Sequence, residues 1–130
     1  MTWKFLLDAD SALLLVRLVR EMGVLARALS IPLSDRAILP TASICAASER
    51  DAVAIVTAAG KQYFHSAPAH RMSALQDIEA GRPLEVNETL GYACGKAREL
   101  KLELPLLESF RRLVAATDRA RRDAVVTGAA

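Results

Sequence analysis

The stretch His70–Leu100, HRMSALQDIEAGRPLEVNETLGYACGKAREL, decides how the rest of the chain reads. Ser73 and Gln76 form a Ser-x-x-Gln pattern, the capping box in which each side chain meets a free backbone N–H at a helix start. This predicts a short turn of helix through Ile78. The Ala80–Gly81–Arg82–Pro83 break ends it, and Pro83 suits the first position of a new helix, where its missing N–H is not needed. From there Val86, Leu90, Ala93, Ala97 and Leu100 recur at helical spacing, which predicts a long helix as the centre of the fold.

Composition extends that reading to the whole chain. A length of 130 residues corresponds to a single domain spanning 1–130, able to bury roughly two-thirds of its unfolded surface. Hydrophobic residues make up 52% of it, and the mean hydropathy is +0.21. Much of that content is Ala and Leu, and period-two alternation of Val, Ile and Thr is scarce. The expected fold is therefore all-α, a helical bundle. The apolar excess fits either a tightly packed bundle or a second surface kept for a partner chain. A net charge of +2 is too small to imply nucleic acid or an acidic membrane as partner. Cys45 and Cys94 have no metal-ligand spacing and read as buried free thiols of a reducing cytosol. His65 and His70 lack a Cys or acidic partner at ligand spacing, so no metal site is expected. The apolar run Ser11–Leu29 carries Arg17, Arg20, Glu21 and Arg27, which argues against a membrane span and for a cytoplasmic chain.

In chain order, Thr2–Ser30 reads as one long helix or two fused ones. Lys4, Asp8 and Ser11 share a face, while Leu14, Leu15, Leu18, Met22, Leu25 and Leu29 line another. Lys4 and Asp8 are spaced for an i,i+4 ion pair. Apolar residues surround most of Leu13–Leu29, so this helix is the expected homodimer contact. Ile31–Pro32–Leu33 breaks the helix, and Ser34 or Asp35 can cap the next. The main second helix is expected from near Thr41 to a stop at Gly60, with a kink or break at Ser48–Asp51 and a loop over Lys61–Ala69. Lys101–Leu104 is a turn without glycine, and Pro105 opens a last helix with Leu106, Phe110, Leu113 and Val114 as its apolar stripe. Arg111, Arg112, Arg119, Arg121 and Arg122 crowd its outer faces, but Glu108, Asp118 and Asp123 interrupt them, which favours a solvated face over a nucleic-acid site.

The run Ser73-Ala74-Leu75-Gln76-Asp77, then Gly81-Arg82-Pro83-Leu84-Glu85, then Gly91, resembles the C-terminal domain of the ketopantoate reductase family, the NADPH-dependent 2-dehydropantoate 2-reductases of pantothenate biosynthesis. The resemblance implies the helical fold shared with the C-terminal domain of 6-phosphogluconate dehydrogenase, reduction of a 2-keto acid, and dimerisation. It also implies roles for particular residues. Lys4, beside Trp3, matches the family's general-acid lysine. Asp8 and Ala12 stand one and two turns later, where the family has substrate-holding asparagines. Ser73 matches a substrate-binding serine, and Glu85, twelve residues on, a glutamate that orients the substrate hydroxyl or the lysine. Lys4 and Glu85 are thus the expected catalytic pair, with Ser73 and Asp8 as substrate-binding positions. Each has a plain structural reading as well: Lys4 and Asp8 as a solvated pair, Ser73 as an N-cap, Glu85 as a first-turn carboxylate facing free N–H groups. The asparagine replacements weigh towards a helical interaction module without chemistry. No Gly-x-Gly-x-x-Gly follows a strand pattern, and Gly91-Tyr-Ala-Cys-Gly95 falls inside a helix. The N-terminal Rossmann domain of the family is expected to be absent, with no cofactor held by this chain. NADPH would then come with a Rossmann-domain protein in trans.

Overall fold

The computed structural model describes residues 2–36, 39–66 and 90–126. They form six α-helices: α1 Thr2–Phe5, α2 Ala9–Ala28, α3 Thr41–Ala46, α4 Glu49–Ser66, α5 Tyr92–Glu99 and α6 Pro105–Val126. No strand occurs among the described residues, and the expected all-α class holds. The chain divides into two compact units, Met1–His70 and Arg71–Ala130. The Ser73 capping box and the helix start at Pro83 lie outside the described residues. Of the expected central helix, α5 is the described part, entered through a wider π-type turn at Leu90–Gly91.

In the first unit α2 packs on α3 and α4, and α1 packs on α4. Thr2–Ser30 is not one continuous helix. The chain breaks at Leu6–Asp8 because the Asp8 carboxylate accepts the free backbone N–H of Ser11 at 2.9 Å and starts α2 as its N-cap. Leu6 turns inward at this break and joins a core of Ala12, Val16, Ile44, Ala52 and Val56. The face of α2 that meets this core is therefore Ala12, Leu15, Val16 and Val19, so that Leu15 is the member of the expected leucine seam packed against it. Leu14 and Met22 are exposed, Leu18 is half-buried and Leu25 is buried. Small residues let neighbouring backbones approach: a Cβ on Gly23 would lie 2.7 Å from Cys45 Sγ. Between α2 and α4, Arg17 forks onto Glu49 through two bonds of 3.1 and 3.2 Å.

Helix ends agree with the sequence reading at two points, the Asp35 cap and the break beginning at Ser48, and depart from it at Gly60. The N-cap position of α3 is Pro40, which offers no side-chain acceptor. Asp35 supplies one from eight residues upstream, accepting Ser43 N–H at 2.9 Å and the Ser43 hydroxyl at 2.5 Å. The break between α3 and α4 falls at Ala47–Ser48, where the Ser48 hydroxyl accepts Asp51 N–H at 3.2 Å. Gly60 does not stop α4. It is buried inside the helix, which runs through most of the expected loop to Ser66.

In the second unit α5 packs on α6. The turn between them lacks glycine yet closes α5 with a Schellman motif. Lys101 takes φ 55, Leu102 N–H reaches Ala97 O at 2.8 Å, and Lys101 N–H reaches Arg98 O at 3.0 Å. Ser30 ends α2 in the same way, at φ 58. Pro105 opens α6 as expected. The stripe is shifted, however: Leu107 is fully buried, whereas Leu113 is 63% exposed.

Candidate functional site

Lys4 and Asp8 meet the solvent at the junction of α1 and α2. Their expected ion pair is not formed, because the helix that would bring i and i+4 together ends at Phe5. Asp8 is instead committed to the start of α2. Hydrogen bonds from Ser11, first its backbone N–H and then its hydroxyl, hold the Asp8 carboxyl below its ordinary range. The group is an anion at neutral pH and would repel a substrate carboxylate. Ala12, at the second of the family's asparagine positions, is fully buried in the apolar core. The Ala12 side chain faces the core and offers no polar group to a substrate. Lys4 is thus left as an exposed ammonium. Ser73 and Glu85 lie outside the described residues, so the expected constellation of four is described for its first half alone.

A second polar cluster, which sequence reading did not single out, sits in the α5–α6 unit. Glu108 accepts Arg98 Nη2 at 3.2 Å, Arg111 Nη2 at 2.7 Å and Arg112 Nε at 3.2 Å. The buried Cys94 thiol donates to the same carboxylate. Arg111 and then Cys94 hold the Glu108 carboxyl down at about 2, while burial, followed by the Glu108 bond, pushes the Cys94 thiol up. Cys94 is therefore a poor nucleophile. The cluster borders a cavity of about 510 Å³ whose walls include Ala97, Leu102, Leu104 and Leu107. Its lining charges balance, with Arg98 and Arg112 facing Glu103 and Glu108. The Arg111 and Arg112 spacing from Glu108 was legible in the sequence. Arg98 and Cys94 arrive from another helix and were not.

A model of one family, ketopantoate reductase PanE/ApbA C terminal, matches residues 2–118. The chain belongs to the ketopantoate reductase C-terminal family. No match was found among curated proteins or among solved structures. The family match spans Lys4, Asp8, Ser73 and Glu85 alike, and the helical architecture agrees with it. Family membership does not repair the two asparagine positions, which here hold a capping carboxylate and a core alanine. No group of three or more His, Cys, Asp or Glu among the described residues could hold a metal. No helix among them is long and apolar enough to cross a membrane.

Proposed function

We propose that this chain is the substrate-side and dimerisation domain of a ketopantoate-reductase-like, NADPH-dependent oxidoreductase of the cytoplasm, acting on a 2-keto acid. The observation that carries this reading is the family match over residues 2–118. In such a reduction NADPH supplies the hydride, and the protein must supply a proton donor at the forming alkoxide and donors for the carboxylate. Lys4 is the proton donor in this reading, Ser73 holds the substrate and Glu85 orients it or Lys4. Asp8 is the fourth position, now serving mainly as a cap. The described helices offer no strand–turn–helix cradle for a pyrophosphate. The cofactor therefore has to be held by a Rossmann domain, joined to this chain or acting in trans.

The chain on its own is expected not to bind NADPH or to reduce ketopantoate. Titrating NADPH into the purified protein and following nicotinamide fluorescence checks this, and saturation at micromolar cofactor would overturn it. With a cofactor domain added, Lys4→Ala should lower turnover about 10²-fold or more, the usual worth of a positioned proton donor. Self-association has support of its own, because α2 leaves Leu14, Met22 and Val24 exposed. A homodimer through α2 is expected, giving a mass near twice 14.0 kDa in sedimentation equilibrium. A monomer at tens of micromolar would remove the dimer from the reading.

A second reading has a specific observation behind it. Asp8 spent on a cap and Ala12 buried in the core both suit a helical interaction module that retains the fold without the chemistry. Unchanged turnover in the Lys4→Ala assay would favour this alternative.

A further inference from the structure

A pocket of about 200 Å³ lies in the first unit between α2 and the α3–α4 junction, lined by Arg20, Gly23, Val24, Arg27, Cys45 and Ala47. The four α2 residues fall at i, i+3, i+4 and i+7, so helical spacing sets them along one face. No acidic residue lines the pocket. Most arginines with a defined role in this molecule hold a carboxylate: Arg17 holds Glu49, Arg98, Arg111 and Arg112 hold Glu108, and Arg122 holds Asp118. Arg20 and Arg27 differ. Arg20 donates to the Ala47 carbonyl that ends α3, and its Nε is buried without an acceptor. Glu49 feels the charge of Arg20, but both of its oxygens are already taken by Arg17. Arg27 is exposed and has no carboxylate partner among the described residues. Two guanidinium groups thus share one small cavity whose walls hold no carboxylate, the nearby Glu49 being bonded to Arg17.

We propose that this pocket binds a dianionic phosphoryl group between Arg20 and Arg27. Two guanidinium groups match two negative charges, and their planar N–H forks suit tetrahedral phosphate oxygens. A half-buried cation with an unfilled donor gains most from an anion delivered to a pocket that no carboxylate lines. The volume admits a phosphoryl group and the first atoms attached to it, and is smaller than the pockets of drug-sized ligands, about 300 Å³ and up. Gly23 keeps the wall open here, since any side chain on it would run into Cys45. The phosphoryl group can belong to inorganic phosphate or to a small phosphate ester. Cys45, half-buried at the pocket wall, reports on occupancy, whereas Cys94 is buried elsewhere.

The test uses the full chain, labelled with ¹⁵N and titrated with inorganic phosphate against chloride at matched ionic strength. Saturable shifts at the amides of Gly23, Val24 and Ala47 are expected, together with slower alkylation of Cys45 by iodoacetamide. Arg27→Gln changes an exposed side chain and leaves the Arg20–Ala47 bond in place, so the variant folds. It should bind phosphate about tenfold more weakly, the loss of one charge-assisted contact. Glycerol phosphate binding more tightly than phosphate would identify an ester as the ligand class, and equal binding would identify the free ion. Shifts that grow linearly and equally in chloride would overturn the proposal. So would acetate binding as tightly as phosphate, or an unchanged affinity in Arg27→Gln.

Discussion

The helices α1–α4 and the α5–α6 pair are held by different physics. In the first set the fully buried residues are apolar: Ala12, Val16, Ile44, Ala52 and Val56 are all at zero exposure. In the pair, Leu107 is the one apolar side chain equally buried among the described residues, and two carboxylates gather arginines around it in sequence. Glu108 serves three of them, and Asp118, itself 4% exposed, serves Arg121 at 2.6 Å and Arg122 at 3.1 Å. A core of alanine, valine and isoleucine works by close approach and loses heavily when a side chain is cut away. A carboxylate shared among guanidinium groups depends on pH and on every partner keeping its charge.

The sharpest way to break this contrast is Ile44→Ala. It should cost about 3 kcal/mol, within the range for removing a large buried aliphatic side chain, with little dependence on pH. Urea denaturation of both proteins measures it, and a loss below about 1 kcal/mol would mean the core closes over the gap.

Acid acts on the other region. The Glu108 carboxyl stands at about 2 in the folded chain against its ordinary value of 4.5. The contribution of this group to stability is therefore complete above its ordinary value and is lost as the pH falls through about 2. Amide exchange in α5 and α6 should rise across that acid window, and Glu108→Gln should flatten the rise. An identical profile in the variant would mean that Asp118 or other carboxylates set the acid response.

The smallest expected effect is a gain. Lys101 holds φ 55 at the end of α5, a conformation that costs an L-residue about 1 kcal/mol and glycine almost nothing. Lys101→Gly should raise stability by up to about 1 kcal/mol, with part of this offset by the greater freedom of glycine in the unfolded chain. A fall in the denaturation midpoint would show that the Lys101 side chain makes a contribution of its own.

The sequence alone carried the family as a resemblance, and it determined the helical class, the opening of α6 at Pro105 and the break between α3 and α4, because these three rest on local chemistry. Spacing, capping residues and proline act within a turn or two of the chain. It also exposed the weak point of the proposed site, since Asp8 and Ala12 stand visibly where the resemblance calls for amides. Tertiary structure decided which face of α2 is inside. Hydrophobicity favoured the leucines, but of them Leu15 packs on the core beside the fully buried Ala12 and Val16, while Gly23 lies against Cys45. It decided that α4 continues through Gly60, which is buried within the helix instead of ending it. It decided, too, that Asp8 would cap a new helix before it could pair with Lys4. The contacts of Arg98 and Cys94 with Glu108, and the shared pocket of Arg20, Arg27 and Cys45, join residues far apart in the chain. Periodicity along one helix carries no information about which neighbour its face will meet.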